Sequence, residues 1–124
     1  MAAKILIVDD EVGVLDMTRY LFEKKGYQVA VAQNGEGALA AVEREGFDAM
    51  LLDIKMPGMD GLEVLRRVKR LRPEMPVVIM SVYYDQNQEI QSAVDSEADG
   101  CIRKPFNVEE ALTVVEKVLQ QKRK

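Results

Sequence analysis

Apolar residues along the chain recur with two alternating periods. Short β-rich runs stand at Lys4–Val8 (KILIV), Gln28–Ala32 (QVAVA), Ala49–Leu52 (AMLL), Val77–Met80 (VVIM) and Cys101–Arg103 (CIR), each of strand length. Between them the spacing changes to i, i+3, i+4, i+7, the repeat of one helix face. Val14, Leu15, Thr18, Leu21 and Phe22 follow it within 11–25, and Leu62, Leu65, Val68 and Leu71 within 61–71. Val108, Ala111, Leu112, Val115 and Leu119 follow it within 108–119, where Val114 and Val118 widen the apolar stripe. An Ala-rich segment over 35–45, with Asn34 as its N-cap, and a more polar segment over 86–96 complete five helical stretches. Strands alternating with helices predict an α/β domain, a doubly wound five-stranded parallel sheet with five flanking helices. The runs at 4–8 and 49–52 are nearly continuous and apolar, as central strands buried on both faces require. Gly26, Gly46, Pro73, Pro76 and Gly100 punctuate the returns, and no linker or repeat interrupts them. The expectation is one domain over 1–124, its core at about 4–119 and a polar, frayed helix end at 120–124.

Composition narrows the chemistry. Lys and Arg number 17 against 21 Asp and Glu, a net charge of −4, which argues against direct nucleic-acid binding. The single Cys101 rules out an internal disulfide and a thiolate zinc cluster, as suits a reducing, cytoplasmic setting. The apolar runs are too short for a signal-peptide core or a membrane span. The absence of histidine excludes more: no Ser–His or Cys–His pair, no imidazole base and no His-ligated metal. Chemistry must then rest on carboxylates, hydroxyls, lysine or a borrowed group.

In an open α/β sheet, ligands bind at the carboxyl ends of the strands near the reversal of strand order. Asp9, Asp10 and Glu11 follow the first run, Asp53 the third, Ser81 the fourth, and Lys104 with Pro105 the fifth. Each has a plain structural reading: helix capping for Asp9 and Asp10, a turn for Asp53, a strand-end hydroxyl for Ser81, a solvated charge for Lys104. Their shared rim favours a joint role. Clustered carboxylates repel unless a cation offsets them, and an all-oxygen acidic site suits Mg²⁺. A lysine and a hydroxyl beside it match the oxygens of a phosphoryl group. Without histidine, the candidate nucleophile is a carboxylate, which would form an acyl phosphate.

The run Asp9-Asp10, Asp53 with Met-Pro-Gly-Met-Asp-Gly behind it, Ser81, and Lys104-Pro105-Phe106 together resemble the receiver domain of two-component response regulators, over residues 4 to 119. The resemblance implies strand order 2-1-3-4-5, Asp53 as phosphoacceptor and Mg²⁺ as cofactor. It further implies Asp10 as a direct metal ligand, Asp9 as one mostly through water, and the main-chain carbonyl of Lys55 completing the protein's share. Ser81 would bond one phosphoryl oxygen and Lys104 another. The phosphoryl donor would be a sensor histidine kinase or a histidine phosphotransfer protein, and the chain would catalyse only its own phosphorylation and dephosphorylation.

Departures from the family pattern are local. Cys101 occupies the position where receivers usually carry a switch aromatic, Val82 stands where a small residue is common, and 81–104 is one residue longer than usual. Tyr83 or Tyr84 could share the missing switch role. Tyr83 and Lys55 fall where receivers tune hydrolysis, and their bulk predicts slow self-dephosphorylation. Gly13, Val14 and Met17 lie near the acidic rim and could dock a partner's phosphohistidine helix. Val114 and Val118 either pack on the sheet or face a target across the helix at 86–96, the strand at 101–103 and the last helix. The chain is expected to be a monomer or weak homodimer, stand-alone or a piece of a longer regulator, with its downstream target or effector domain open. Two competing readings are a Mg²⁺-dependent phosphatase working through an aspartyl phosphate and a degenerate receiver acting as a binding module. Against the phosphatase, Asp53-Ile54-Lys55 lacks a second acid two residues on to protonate a leaving group. Against the module, the five site side chains Asp9, Asp10, Asp53, Ser81 and Lys104 are all present.

Overall fold

The computed structural model describes residues 3–54, 61–81, 88, 92, 96–103 and 107–122, apart from the side chains of Ser81, Val108 and Lys122. Its elements, in chain order, are β1 (Lys4–Val8), α1 (Val12–Lys24), β2 (Gln28–Ala32), α2 (Gly35–Arg44), β3 (Ala49–Asp53), α3 (Gly61–Leu71), β4 (Val77–Ser81), β5 (Gly100–Arg103) and α4 (Val108–Lys122). All neighbouring strands pair in parallel, in the order β2-β1-β3-β4-β5. That is the expected sheet. Of the stretch expected to be helical over 86–96, only Gln88, Ser92 and Ser96 are described, and all three are helical.

The period-two alternation of each strand sorts the core into two layers. Leu6, Val8, Met50, Leu52, Val77 and Ile79 face α2 and α3. Ile5, Ile7, Ala49, Leu51, Val78, Met80 and Ile102 face α1 and α4. The central strands β1 and β3 are buried along nearly their whole length, whereas the edge strand β2 stays partly open. Each fully buried Leu, Ile or Phe contributes roughly 1.5–3 kcal/mol relative to exposure, so slipping β1 or β3 by one residue would forfeit both layers.

Helix ends follow local chemistry. Asn34 caps α2, its side-chain oxygen accepting from Gly37 N at 2.7 Å, as expected. Asn107 does the same for α4, accepting from Glu110 N at 2.9 Å. At the end of α1, Gly26 adopts φ 99°, a left-handed conformation that favours glycine. The turn is closed by Tyr27 N–H donating to the Phe22 carbonyl at 3.1 Å. The last helix runs to Lys122, so residues 120–122 of the expected frayed end are helical. Nothing in Gln120-Gln121-Lys122 breaks a helix, and a basic residue favours the negative end of its dipole.

Val118 is buried, and Val114 packs beside it against the same layer. The packing explanation for the wide stripe therefore holds, and Val118 is not available to a target. Cys101, paired with Ile79 in the sheet, packs half-buried against the α2–α3 layer as a small hydrophobe.

Thr18 stands at the same α1–α4 layer, fully buried, and its hydroxyl has no hydrogen-bond partner among the described residues. An unpaired buried hydroxyl costs about 1–3 kcal/mol. Thr18→Val, of nearly equal shape, is therefore expected to raise stability by about 1 kcal/mol in urea unfolding. By contrast Phe22→Ala should lose about 3–5 kcal/mol. A destabilised Thr18→Val protein would show that the hydroxyl is bonded after all.

Candidate functional site

The order of strands reverses between β1 and β3: from β1 the chain steps outward to β2, then returns to β3 on the other side. Val8 and Leu52 are register partners across that junction, so the residues that follow them, Asp9 and Asp53, emerge at the same height. Asp53 is the last residue of β3 and is 5% exposed, and Asp9 is fully buried. Asp10, one residue on, opens toward solvent. Carboxylate oxygens of Asp9, Asp10 and Asp53 all lie within 4.8 Å of one another.

Main-chain hydrogen bonds hold this group in place. Asp9 N–H still donates to the Ala32 carbonyl at 3.2 Å, so the β1–β2 ladder reaches the site. The Asp9 Oδ1 accepts from Glu11 N at 3.0 Å, which turns the carboxylate inward before α1 begins. Glu11 occupies the N-cap of α1 with no side-chain cap. The capping reading of Asp9 and Asp10 thus fails: Asp9 serves the rim, and the helix starts without a side-chain cap.

On the other side of Asp53, Ile54 N–H donates to the Met80 carbonyl at 3.2 Å, and its own carbonyl accepts from Gly61 N at 3.0 Å. These two bonds tie the chain beyond Asp53 to β4 and to the start of α3. From the sequence, Gly61 is named as part of the motif behind Asp53, but neither it nor Ile54 is given a role in placing the site. The available signal was a glycine at the first position of a strongly amphipathic helix.

Farther along the rim, Ser81 is the last residue of β4 and pairs with Arg103, the last residue of β5. Ser81 thus has its main chain at the carboxyl edge of the sheet. Its side chain lies outside the described residues, as do Lys55, Val82, Tyr83, Tyr84 and Lys104. The structure therefore brings together the three acids expected to hold a metal.

Three carboxylates this close carry a steep mutual repulsion, even in a partly hydrated setting. They offer only oxygen donors, the set that hard cations such as Mg²⁺ take. Two oxygens bound to one Mg²⁺ stand at most about 4.2 Å apart, twice its bond length of about 2.1 Å. A 4.8 Å spread fits direct ligation by some of the acids and ligation through water by the rest. The donor set fits the ion.

The family model for the response regulator receiver domain matches residues 5–116. Sporulation initiation phosphotransferase F of Bacillus subtilis (strain 168) is 41% identical over 122 residues, 98% of each chain. Among solved structures, a CheY-like response regulator receiver domain protein from Methanospirillum hungatei JF-1 superposes with a TM-score of 0.94 at 34% identity. That alignment covers 99% of this chain and 98% of the other. The receiver domain of NtrX from Brucella abortus gives a TM-score of 0.85 at 34% identity, over 94% of this chain and 98% of that one.

Relieving the repulsion should be measurable. Asp10→Asn is expected to stabilise the metal-free protein by roughly 1 kcal/mol, since one of the charges goes and its site is hydrated. It should also show a much smaller rise in Tm on adding Mg²⁺ than the wild type does, if the three acids hold the ion. Thermal unfolding with Mg²⁺ and with a chelator checks both halves. An unchanged Mg²⁺ response would remove Asp10 from the ligand set.

Proposed function

This chain belongs to the family of response regulator receiver domains, signalling switches of two-component systems and phosphorelays, and on that premise we propose that Asp53 is its phosphoacceptor. It is a signalling domain rather than an enzyme that turns over a substrate. The observation that carries the assignment is the burial of Asp53 at the strand-order reversal, within 4.8 Å of two further acids. We read residues 1–124 as a single receiver domain, the family match at 5–116 lying inside it.

Asp9, Asp10, Asp53 and the main-chain carbonyl of Lys55 would hold Mg²⁺. When bound, the ion supplies positive charge to the oxygens of the phosphoryl group. The chain's own part is nucleophilic attack and positioning. An Asp53 carboxylate oxygen attacks phosphorus in line, the new O–P bond forming as the N–P bond of a phosphohistidine breaks. The electron pair leaves with the imidazole, which takes up a proton. Lys104 would pair with one oxygen of the transferred group, and the Ser81 hydroxyl would donate to another. Water attack on the acyl phosphate later returns Asp53 to its carboxylate.

Residues 1–124 contain no histidine, so the phosphohistidine lies outside them. A sensor histidine kinase or a histidine phosphotransfer protein is the donor class. A relative of matching length bears a phosphotransferase name, which supports a phosphorelay role. No helix among the described residues is long and apolar enough to cross a membrane, and a cytoplasmic setting suits the lone cysteine.

The partner surface we assign to α1. Val12, Met17 and Tyr20 are 52%, 49% and 63% exposed, and Gly13 has open space above it. This helix starts two residues after Asp10, so an apolar patch borders the acidic rim. Val14, by contrast, is half-buried and lends it less area than its position in the sequence suggested.

Incubation with acetyl phosphate and Mg²⁺ is expected to add a single phosphoryl group to the wild type and none to Asp53→Asn, read by intact mass. Labelling of the variant would place the acceptor elsewhere, and multiple turnover of phosphate esters would favour the phosphatase reading. Met17→Glu should slow transfer from a phosphohistidine protein by about tenfold or more, as loss of an apolar contact worth over 1.4 kcal/mol implies. Labelling by acetyl phosphate should continue at the wild-type rate. Equal loss with both donors would rule out α1 as the docking surface.

A further inference from the structure

Gly61 opens α3 directly against the main chain of Ile54. A Cβ built on Gly61 would stand 2.4 Å from the Ile54 carbonyl oxygen, 2.5 Å from its Cα and 2.7 Å from its carbonyl carbon. Those are backbone atoms, so no side-chain rotation could relieve the clash. Ile54 also has nowhere to retreat. Its N–H bonds the Met80 carbonyl, its carbonyl takes the Gly61 N–H, and its side chain is buried in the α2–α3 layer beside Leu62. Ile54 is joined covalently to Asp53 on one side and to Lys55 on the other.

Resting on the assignment of Asp53 made above, we propose that Gly61 is a positioning residue. Its missing side chain lets α3 seat on Ile54, and that seating sets where the neighbouring acceptor Asp53 stands. The glycine is required for close approach rather than for an unusual dihedral angle. Of Gly13, Gly26, Gly37, Gly46, Gly61 and Gly100, only Gly61 has a built Cβ closer than 3.0 Å to backbone. A side chain at position 61 must push either α3 or the Asp53–Ile54 segment, and the second carries the acceptor.

The test compares Gly61→Ala with Val115→Ala, which opens a cavity in the α1–α4 layer, away from the contact between α3 and Ile54. Both variants should be less stable than wild type. At a temperature well below unfolding, an NMR titration with Mg²⁺ is expected to give Gly61→Ala a Kd raised at least fivefold. Its labelling rate at saturating Mg²⁺ should fall about tenfold or more, as a misplaced reacting group implies. Val115→Ala should keep the wild-type Kd. If Gly61→Ala binds Mg²⁺ as tightly as Val115→Ala does, the glycine is only structural and the inference is overturned. If Gly61→Ala does not fold, the wild type decides: the Gly61 amide resonance should shift with the same Kd as that of Asp53, and a stationary Gly61 amide overturns the inference. A wild type that binds no Mg²⁺ overturns the acceptor-site assignment and this inference together. Wild-type binding with an unaffected Gly61→Ala overturns this inference alone.

Discussion

Mutual repulsion among Asp9, Asp10 and Asp53 is the constraint on which the rest of the domain depends. Left to themselves, carboxylates within 4.8 Å would move apart into water. They stay because Asp53 ends one strand and Asp9 directly follows another, and neither strand can slide. Val8 and Leu52 are partners in register, both are fully buried, and a shift of either strand would turn its apolar residues out of the core. Hydrophobic burial along β1 and β3 thus pays for the concentration of charge at their ends.

The same sheet separates supporting contacts from working ones. Below the rim, residues alternate strictly between the α2–α3 layer and the α1–α4 layer, and both layers are built of buried apolar side chains. At the rim the alternation stops, and main-chain hydrogen bonds take over the task of placement. Glu11 N–H turns the Asp9 carboxylate, Met80 and Gly61 pin Ile54, and Asp9 N–H keeps the β1–β2 ladder intact. A site built on strand ends and fixed by main-chain bonds varies little with surface side chains. The exposed apolar residues of α1, set just outside that frame, are then free to serve partner choice.

The missing histidine links composition to role. A chain that could phosphorylate itself through an imidazole would need no partner for its chemistry. On the proposed assignment the phosphoryl group would go to a carboxylate and would come from a histidine outside residues 1–124. The acyl phosphate so formed is labile to water, which makes the modification a temporary state and suits a switch.

What the sequence by itself determined was the fold and the membership of the acidic rim. Period two in strands, period 3.6 in helices and the placement of acids after apolar runs are local patterns. They specified strands alternating with helices, a parallel sheet covered on both faces, and acids at the ends of the first and third strands, while the strand order came from the family resemblance. The tertiary structure decided what depends on contact between distant segments. Asp9 gives up a capping role because Glu11 N–H and the buried junction draw its carboxylate inward. Val118 is core rather than surface because α4 lies flat against the sheet. Gly61, an ordinary turn glycine in the sequence, is fixed by the Ile54 backbone at its Cα, a meeting that exists only once α3 has folded back. Periodicity reports which face of an element is apolar, whereas close approach between two backbones is set by packing and has no period to read.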